Sequence, residues 1–386
     1  MNDKHQPLNP KQGFTGNDLR PVLITGGAGF VGTNLADRLL DDGIPVLIFD
    51  NLGRPGVERN LDWLRSTHGN RVQVDIADIR DFHAVRNAVH RARQVFHFAA
   101  QVAVTTSIEN PAADFEVNLR GTLNILEGLR SASNPPPLVY TSTNKVYGDL
   151  GDLGVRRQGD RYMPHDEETA RNGVGEDRPL DFHSPYGCSK GGADQYVLDY
   201  ARSYGLPTAV FRMSCIYGPH QYGTEDQGWV AHFLIRALQD RPITIYGDGL
   251  QVRDVLFVED LVRALRLAGD NIGRLRGQAF NVGGGPARTT SLIELVDLIE
   301  ELHGRRPELA FAPWRTGDQK YYVSDIRKLD RAIGWRPETA VHDGVAATYE
   351  WLLMYSDQKT RYNPGKTAAV RSKGLKGSFD YEWPGK

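Results

Sequence analysis

Tyr186 and Lys190 are the residues whose types and spacing most directly suggest proton chemistry in this chain. At i and i+4 on a helix they share one face, so the ammonium can sit beside the phenol. A neighbouring positive charge favours phenolate and lowers the phenol pKa, which would make Tyr186 a base near neutral pH. The same spacing recurs at Tyr355/Lys359 and Tyr362/Lys366, but only Tyr186/Lys190 opens a helix after a strand ending in hydroxyls, Ser142 and Thr143. Thr143 is placed to donate or relay a proton to the same substrate hydroxyl.

A second constellation lies near the start. Gly26-x-x-Gly29-x-x-Gly32 sits between an apolar strand pattern at 22–25 and an amphipathic helix running to about Asp42. Such glycines permit a tight turn and close backbone approach to a pyrophosphate, and the helix N-terminus presents free N–H groups to its oxygens. Asp50 ends the next strand, near the ~20-residue offset expected of an acid that grips the adenosine ribose. An acid there favours NAD, while Arg54 leaves NADP open. Asp78-Ile79 could meet the adenine edge, and the small residues of Phe98-Ala99-Ala100-Gln101 would let the backbone pass under the dinucleotide. His97 reads as a buried strand histidine rather than a catalyst. A bound oxidised nicotinamide would add its own positive charge beside Tyr186.

The elements that must position these residues alternate. Apolar strands at 22–25, 46–49, 72–74, 95–98, 138–140 and 208–211 are interleaved with helices starting near Asp81, Asn110 and Tyr186. That rhythm predicts an α/β fold, a Rossmann-like doubly wound parallel sheet with ligand at the carboxyl ends of its strands. Beyond Tyr217-Gly218-Pro219 the rhythm loosens into helix candidates at 228–238, 258–267 and 291–303 with a short strand at 243–245. We expect an NAD-binding domain over 20–220 and a smaller, mainly C-terminal substrate lobe over 221–356. Residues 149–185, polar and punctuated by Gly and Pro, read as a long loop on the substrate side. Residues 1–19 and the basic tail 357–386 read as mobile arms.

Composition bounds the rest. With 386 residues, 40% hydrophobic, 24% charged and a net charge of -2, the chain is an ordinary globular protein with no general pull toward nucleic acid or anionic membrane. The N-terminal stretch has no apolar run fit for a signal peptide or span. The only two cysteines, Cys188 and Cys215, support neither a disulfide framework nor a metal site, which predicts a cytoplasmic protein without metal.

The glycine pattern, Thr143 and Tyr186/Lys190 together resemble the extended short-chain dehydrogenase/reductase family of nucleotide-sugar enzymes. Longer segments are similar to its 2-epimerase branch, which acts on CDP-linked deoxyhexoses. They include Phe49-Asp50-Asn51-Leu52, the run from Gln101 to Ile108, Ser142 to Leu150, Leu180-Asp181-Phe182-His183-Ser184-Pro185-Tyr186 and Asp226-Gln227-Gly228-Trp229-Val230. The resemblance covers residues 21–353. Motifs and resemblance together give a cofactor set of Gly26, Gly29, Phe30, Val31, Gly32, Asp50, Asn51, Arg54, Asp78, Ile79, Ala99, Gln101 and Asn118, besides Tyr186 and Lys190. For substrate the set is Thr143, Asn144, His183, Cys215, Gln227, Arg253 and Arg315. The two arginines suit a sugar diphosphate, because a guanidinium pairs with phosphate oxygens in a fixed fork. Cys215 stands where many members carry Asn, which leaves the usual amide contact open. The thiol itself reads as a small packed group.

Related dehydratases carry an Asp-Glu pair, the acid and base for expelling water, where this chain has Asn144-Lys145. The resemblance therefore implies an NAD-dependent epimerisation at carbon 2 of a CDP-sugar, through a transient keto-sugar and hydride return. A UDP-hexose 4-epimerase, acting on a UDP-sugar with the same base, and a non-catalytic NAD-binding scaffold are the alternatives. The resemblance also implies a homodimer or homotetramer, with the helices from about Asn110 and Tyr186 meeting between copies.

Overall fold

The computed structural model describes residues 19–315 and 317–356, so the arms expected at both ends, Leu19 apart, lie outside the described residues. The strands are β1 (Val22–Thr25), β2 (Val46–Asp50), β3 (Val72–Ile76), β4 (Gln94–His97) and β5 (Leu138–Thr143), then β6 (Val155–Gln158), β7 (Arg161–Pro164), β8 (Thr208–Met213) and β9 (Cys215–Tyr217). β10 (Ile243–Tyr246), β11 (Val252–Phe257), β12 (Ala279–Val282), β13 (Thr289–Ser291), β14 (Leu309–Ala312) and β15 (Tyr321–Tyr322) complete them. Seven form a parallel sheet in the order β12-β8-β5-β4-β1-β2-β3. The chain order reverses between β1 and β4, which opens the crevice where such sheets bind ligand.

Both faces of this sheet are covered, which is why its strands are apolar without alternation. Val22 and Ile24 enter one core with Leu35, Leu39, Leu61, Leu261 and Leu265. Leu23, pointing the other way, enters a second with Val85, Val89, Ile125, Leu129 and Val197. The helix Phe82–Arg91 starts where the sequence places it, with Asp81 capping the His83 and Ala84 N–H groups.

Three features depart from the sequence reading. Residues 221–356 are divided between layers: β12 pairs with β8 at the edge of the large sheet, and the helix Val258–Asp270 packs into its first core. The remainder builds the smaller lobe, where β11 pairs with β9, β13 and β15 and β10 pairs with β14. The stretch 149–185 is not a structureless loop. It holds the antiparallel hairpin β6–β7 and the helix Glu167–Asn172. The hairpin's exposed, polar residues hide its period, and its anchor is remote: Arg161 donates to Glu294 at 2.6 and 2.5 Å. The helix expected from Asn110 is also interrupted, running as Pro111–Phe115, a wide π turn at Glu116–Arg120, and Gly121–Arg130.

Candidate active site

At the crevice, Gly26 adopts φ +67°, and a Cβ there would lie 2.7 Å from the Ala99 nitrogen. A Cβ on Gly32 would lie 2.5 Å from the Gly26 carbonyl oxygen. Only bare backbone fits these approaches. The helix Phe30–Asp41 then begins at Gly29 without a side-chain cap, so the first-turn N–H groups of Phe30 and Val31 remain available to an anion. Asp50 accepts from the Ala28 N–H at 3.1 Å and the Leu52 N–H at 2.9 Å, which fixes its carboxylate at the carboxyl end of β2. Burial nevertheless pushes its carboxyl up. Beside it Asn51 donates to Asp78 at 3.1 Å, while the Ile79 carbonyl is taken by Asn124 at 3.0 Å. These residues fit a dinucleotide: a side-chain-free cradle, an open helix end and an acid held in place.

Thr143 ends β5 and Tyr186 lies in the first turn of the helix Ser184–Ser203, which places the Thr143 hydroxyl close enough to the phenol to act on its pKa. Lys190, one turn on, donates from Nζ to the Thr141 carbonyl at 2.6 Å and sits 4.3 Å from the centre of the Tyr140 ring. The three residues are thus brought together, but the expected lowering of the phenol pKa is not what this geometry produces. Burial pushes Tyr186 up to about 12, which the nearby Thr143 hydroxyl only moderates. Lys190 is itself driven by burial down to about 7, and its hydrogen bond goes to the strand.

Asn118, expected against the cofactor, has its amide engaged within the protein. Its Oδ1 accepts from the Gln101 N–H at 2.9 Å, and its Nδ2 donates to Asp114 at 3.1 Å and Ser189 at 3.0 Å. These bonds tie Gln101 to the helix that carries Tyr186. His97 is neutral, pushed down to about 3 by burial, and contacts Thr25 at 2.6 Å and Thr122 at 3.1 Å.

On the substrate side, Asn144 and Lys145 follow directly after β5. Asn144 donates to Gln319 at 3.4 Å and Lys145 donates to the Gly317 carbonyl at 3.0 Å. Gln319, fully buried, returns a hydrogen bond to the Gly148 carbonyl at 2.7 Å. Asp318 receives Arg253 at 2.6 Å. The pair thus fastens the strand end to residues 317–319 of the smaller lobe. Lys145 and Gln319 went unassigned in the sequence because their partners are some 170 residues distant, and Asp318 because its partner Arg253 is 65 residues away.

His183 lies between two carboxylates, Asp181 at 3.0 Å and Asp149 at 3.6 Å. Cys215 opens β9, and burial pushes its thiol up, which suits a packed group. Gln227 accepts a hydrogen bond from Arg54, so a residue expected on the substrate meets one expected on the cofactor. Arg315 lies 3.9 Å over the Tyr246 ring and donates to the Glu225 carbonyl at 3.2 Å. Among the described residues no helix is long and apolar enough to cross a membrane.

Residues 22–283 match the model of the NAD dependent epimerase/dehydratase family. CDP-paratose 2-epimerase of Salmonella typhi is 46% identical over 337 residues, covering 86% of this chain and 98% of that protein. Among solved structures, the UDP-glucose 4-epimerase of Thermus thermophilus in complex with NAD is 34% identical with a TM-score of 0.71, covering 86% of this chain and 98% of its own. A dTDP-glucose 4,6-dehydratase of Streptomyces venezuelae with NAD bound is 27% identical with a TM-score of 0.75, covering 88% and 98%. With its glycine cradle, its Thr143-Tyr186-Lys190 group and these likenesses, the chain belongs to the NAD dependent epimerase/dehydratase family, within the extended short-chain dehydrogenases/reductases, and its cofactor is NAD.

Proposed function

We propose that this chain is an NAD-dependent epimerase that inverts carbon 2 of a CDP-linked deoxyhexose. The observation that carries the choice of chemistry is the engagement of Asn144 and Lys145. Neither is a carboxyl group, and both hold residues 317–319. Expelling water needs an acid and a base beside the departing hydroxyl. Tyr186, Thr143 and Lys190 instead serve oxidation and re-reduction at one carbon.

In this reading Tyr186 removes the substrate hydroxyl proton while Thr143 orients both oxygens. Ionising a phenol held at about 12 costs ~7 kcal/mol at pH 7. A charged Lys190 one helical turn away offsets part of that cost. NAD, when bound, supplies the hydride acceptor and donor and, in its oxidised form, a positive charge beside the phenol. Re-reduction from the opposite face requires the keto-sugar to turn, and a cavity of about 360 Å³ lies beside Lys145 and His183, next to the end of β5, to hold part of the substrate. Val104 and Ile108 line that cavity, which suits deoxygenated carbons.

The choice of CDP and carbon 2 is supported by the 46% identity to CDP-paratose 2-epimerase. Exposed Phe115, Tyr196 and Tyr204 fit a contact between copies in a homodimer or homotetramer, and a soluble nucleotide-sugar substrate fits the cytoplasm. A CDP-sugar deuterated at carbon 2 tests the reaction. Inversion with the label retained and a primary isotope effect is expected. Label lost to solvent, or inversion at carbon 4 alone as in a UDP-hexose 4-epimerase, would refute it.

A further inference from the structure

The half-buried Lys145 ammonium lines the same cavity as His183, Asp149 and Gly317. An ammonium carries three N–H donors. Among the described residues the Lys145 ammonium makes one hydrogen bond, to the Gly317 carbonyl. The groups that face it come from five places. Arg253 lies on β11, Cys215 on β9 and Asp318 before β15, while Asp149 follows the turn after β5 and His183 precedes the helix Ser184–Ser203. Burial and then the Arg253 guanidinium push the ammonium down to about 8, against the pull of Asp318, Cys215 and Asp149.

Of the two carboxylates, Asp318 is committed to Arg253 at 2.6 Å and Asp149 is shared with His183 at 3.6 Å. Lys145 and Arg253 therefore lie close enough to repel each other, and the carboxylates near them already have partners. Such a pair is stabilised by an anionic oxygen arriving from outside.

We propose that Lys145 is a substrate-binding residue that, with Arg253, holds the diphosphate of the nucleotide-sugar at the end of β5. The assignment rests on the nucleotide-sugar reading above and deepens it. Lys145 lies two residues from Thr143, so a phosphate held there places the attached sugar against Tyr186. The residue that removes dehydratase chemistry from this position thereby becomes part of the grip on substrate. Because the charged ammonium is the binding form, diphosphate affinity weakens as pH rises through about 8.

Calorimetric binding of CDP and of cytidine to the NAD-loaded full chain tests this, with UDP and uridine used if the wild type accepts that base. Lys145→Met is expected to weaken the diphosphate about tenfold or more, the size of one charge-assisted hydrogen bond. It should leave the nucleoside unchanged and flatten the weakening between pH 7 and 9.5. Lys145→Arg, which keeps the charge, should restore most of the affinity. A purely structural role in holding residues 317–319 predicts equal losses for nucleoside and nucleotide, and that result overturns the assignment. So does a Lys145→Met variant that binds the diphosphate as tightly as wild type. Wild-type protein that binds neither CDP nor UDP overturns the nucleotide-sugar reading, and the assignment with it.

Discussion

Replacing Lys190 with methionine should make the fold more stable while it abolishes turnover. Lys190 is 4% exposed, and burial drives its ammonium from 10.5 to about 7 despite the nearby Asp194 and Asp114. Asp194 is already held by Arg212 at 2.8 and 3.0 Å, so it answers to two cations. The folded pKa lies below the unfolded one, so between about 7 and 10.5 the unfolded chain binds more protons and stability rises with pH. The penalty is fully present below about 7, where it is worth ~5 kcal/mol, and at pH 9 about 2 kcal/mol of it remains. Methionine removes the penalty but leaves the Thr141 carbonyl without its donor, a loss of ~1–3 kcal/mol. The net gain is therefore ~2–4 kcal/mol near pH 6 and about zero at pH 9. For a chain of this length that is a Tm rise of roughly 3 °C. Urea and thermal unfolding of wild type and Lys190→Met, with bound NAD measured and matched, would read it at both pH values. A variant less stable than wild type at pH 6, or one whose advantage grows toward pH 9, would refute the reasoning.

Tyr186→Phe removes only the phenolic oxygen, so epimerisation should fall about 10²–10⁴-fold while bound NAD is retained; a rate within a few-fold of wild type would assign the base elsewhere. Gly26→Ala forces a Cβ onto a backbone at φ +67° and against the Ala99 nitrogen at 2.7 Å. It should destabilise the protein by at least ~1–2 kcal/mol and deplete NAD, as measured by mass on the nucleotide released by denaturation; full NAD content would show that the cradle is not where the dinucleotide lies.

What could be read without the structure was local. The apolar run 22–25, the glycines after it and Asp50 at the next strand's end belong to one strand-helix-strand unit, whose geometry follows from residue types alone. The same holds for Tyr186 and Lys190, one helical turn apart. What could not be read depends on residues far away in sequence. The hairpin β6–β7 is anchored through Arg161 on Glu294, and β12 reaches back to the edge of the large sheet. The burial that pushes the phenol up was not legible locally either, because it is summed over every element around the site.

The end of β5 is where these local and distant terms meet. Within five residues it offers the Thr141 carbonyl to Lys190, sets the Thr143 hydroxyl near Tyr186, and sends the Asn144 and Lys145 side chains to residues 317–319. Two ammonium groups are held there, and burial lowers both. A strand end designed only for stability would carry neither, since an apolar side chain of similar length avoids the desolvation cost. Their joint presence concentrates unspent positive charge beside a phenol that must ionise and a cavity that must receive a diphosphate. The strain is therefore local to the place where binding and proton transfer relieve it, and the expected opposite signs of the Lys190→Met effect on stability and on turnover follow from that single arrangement.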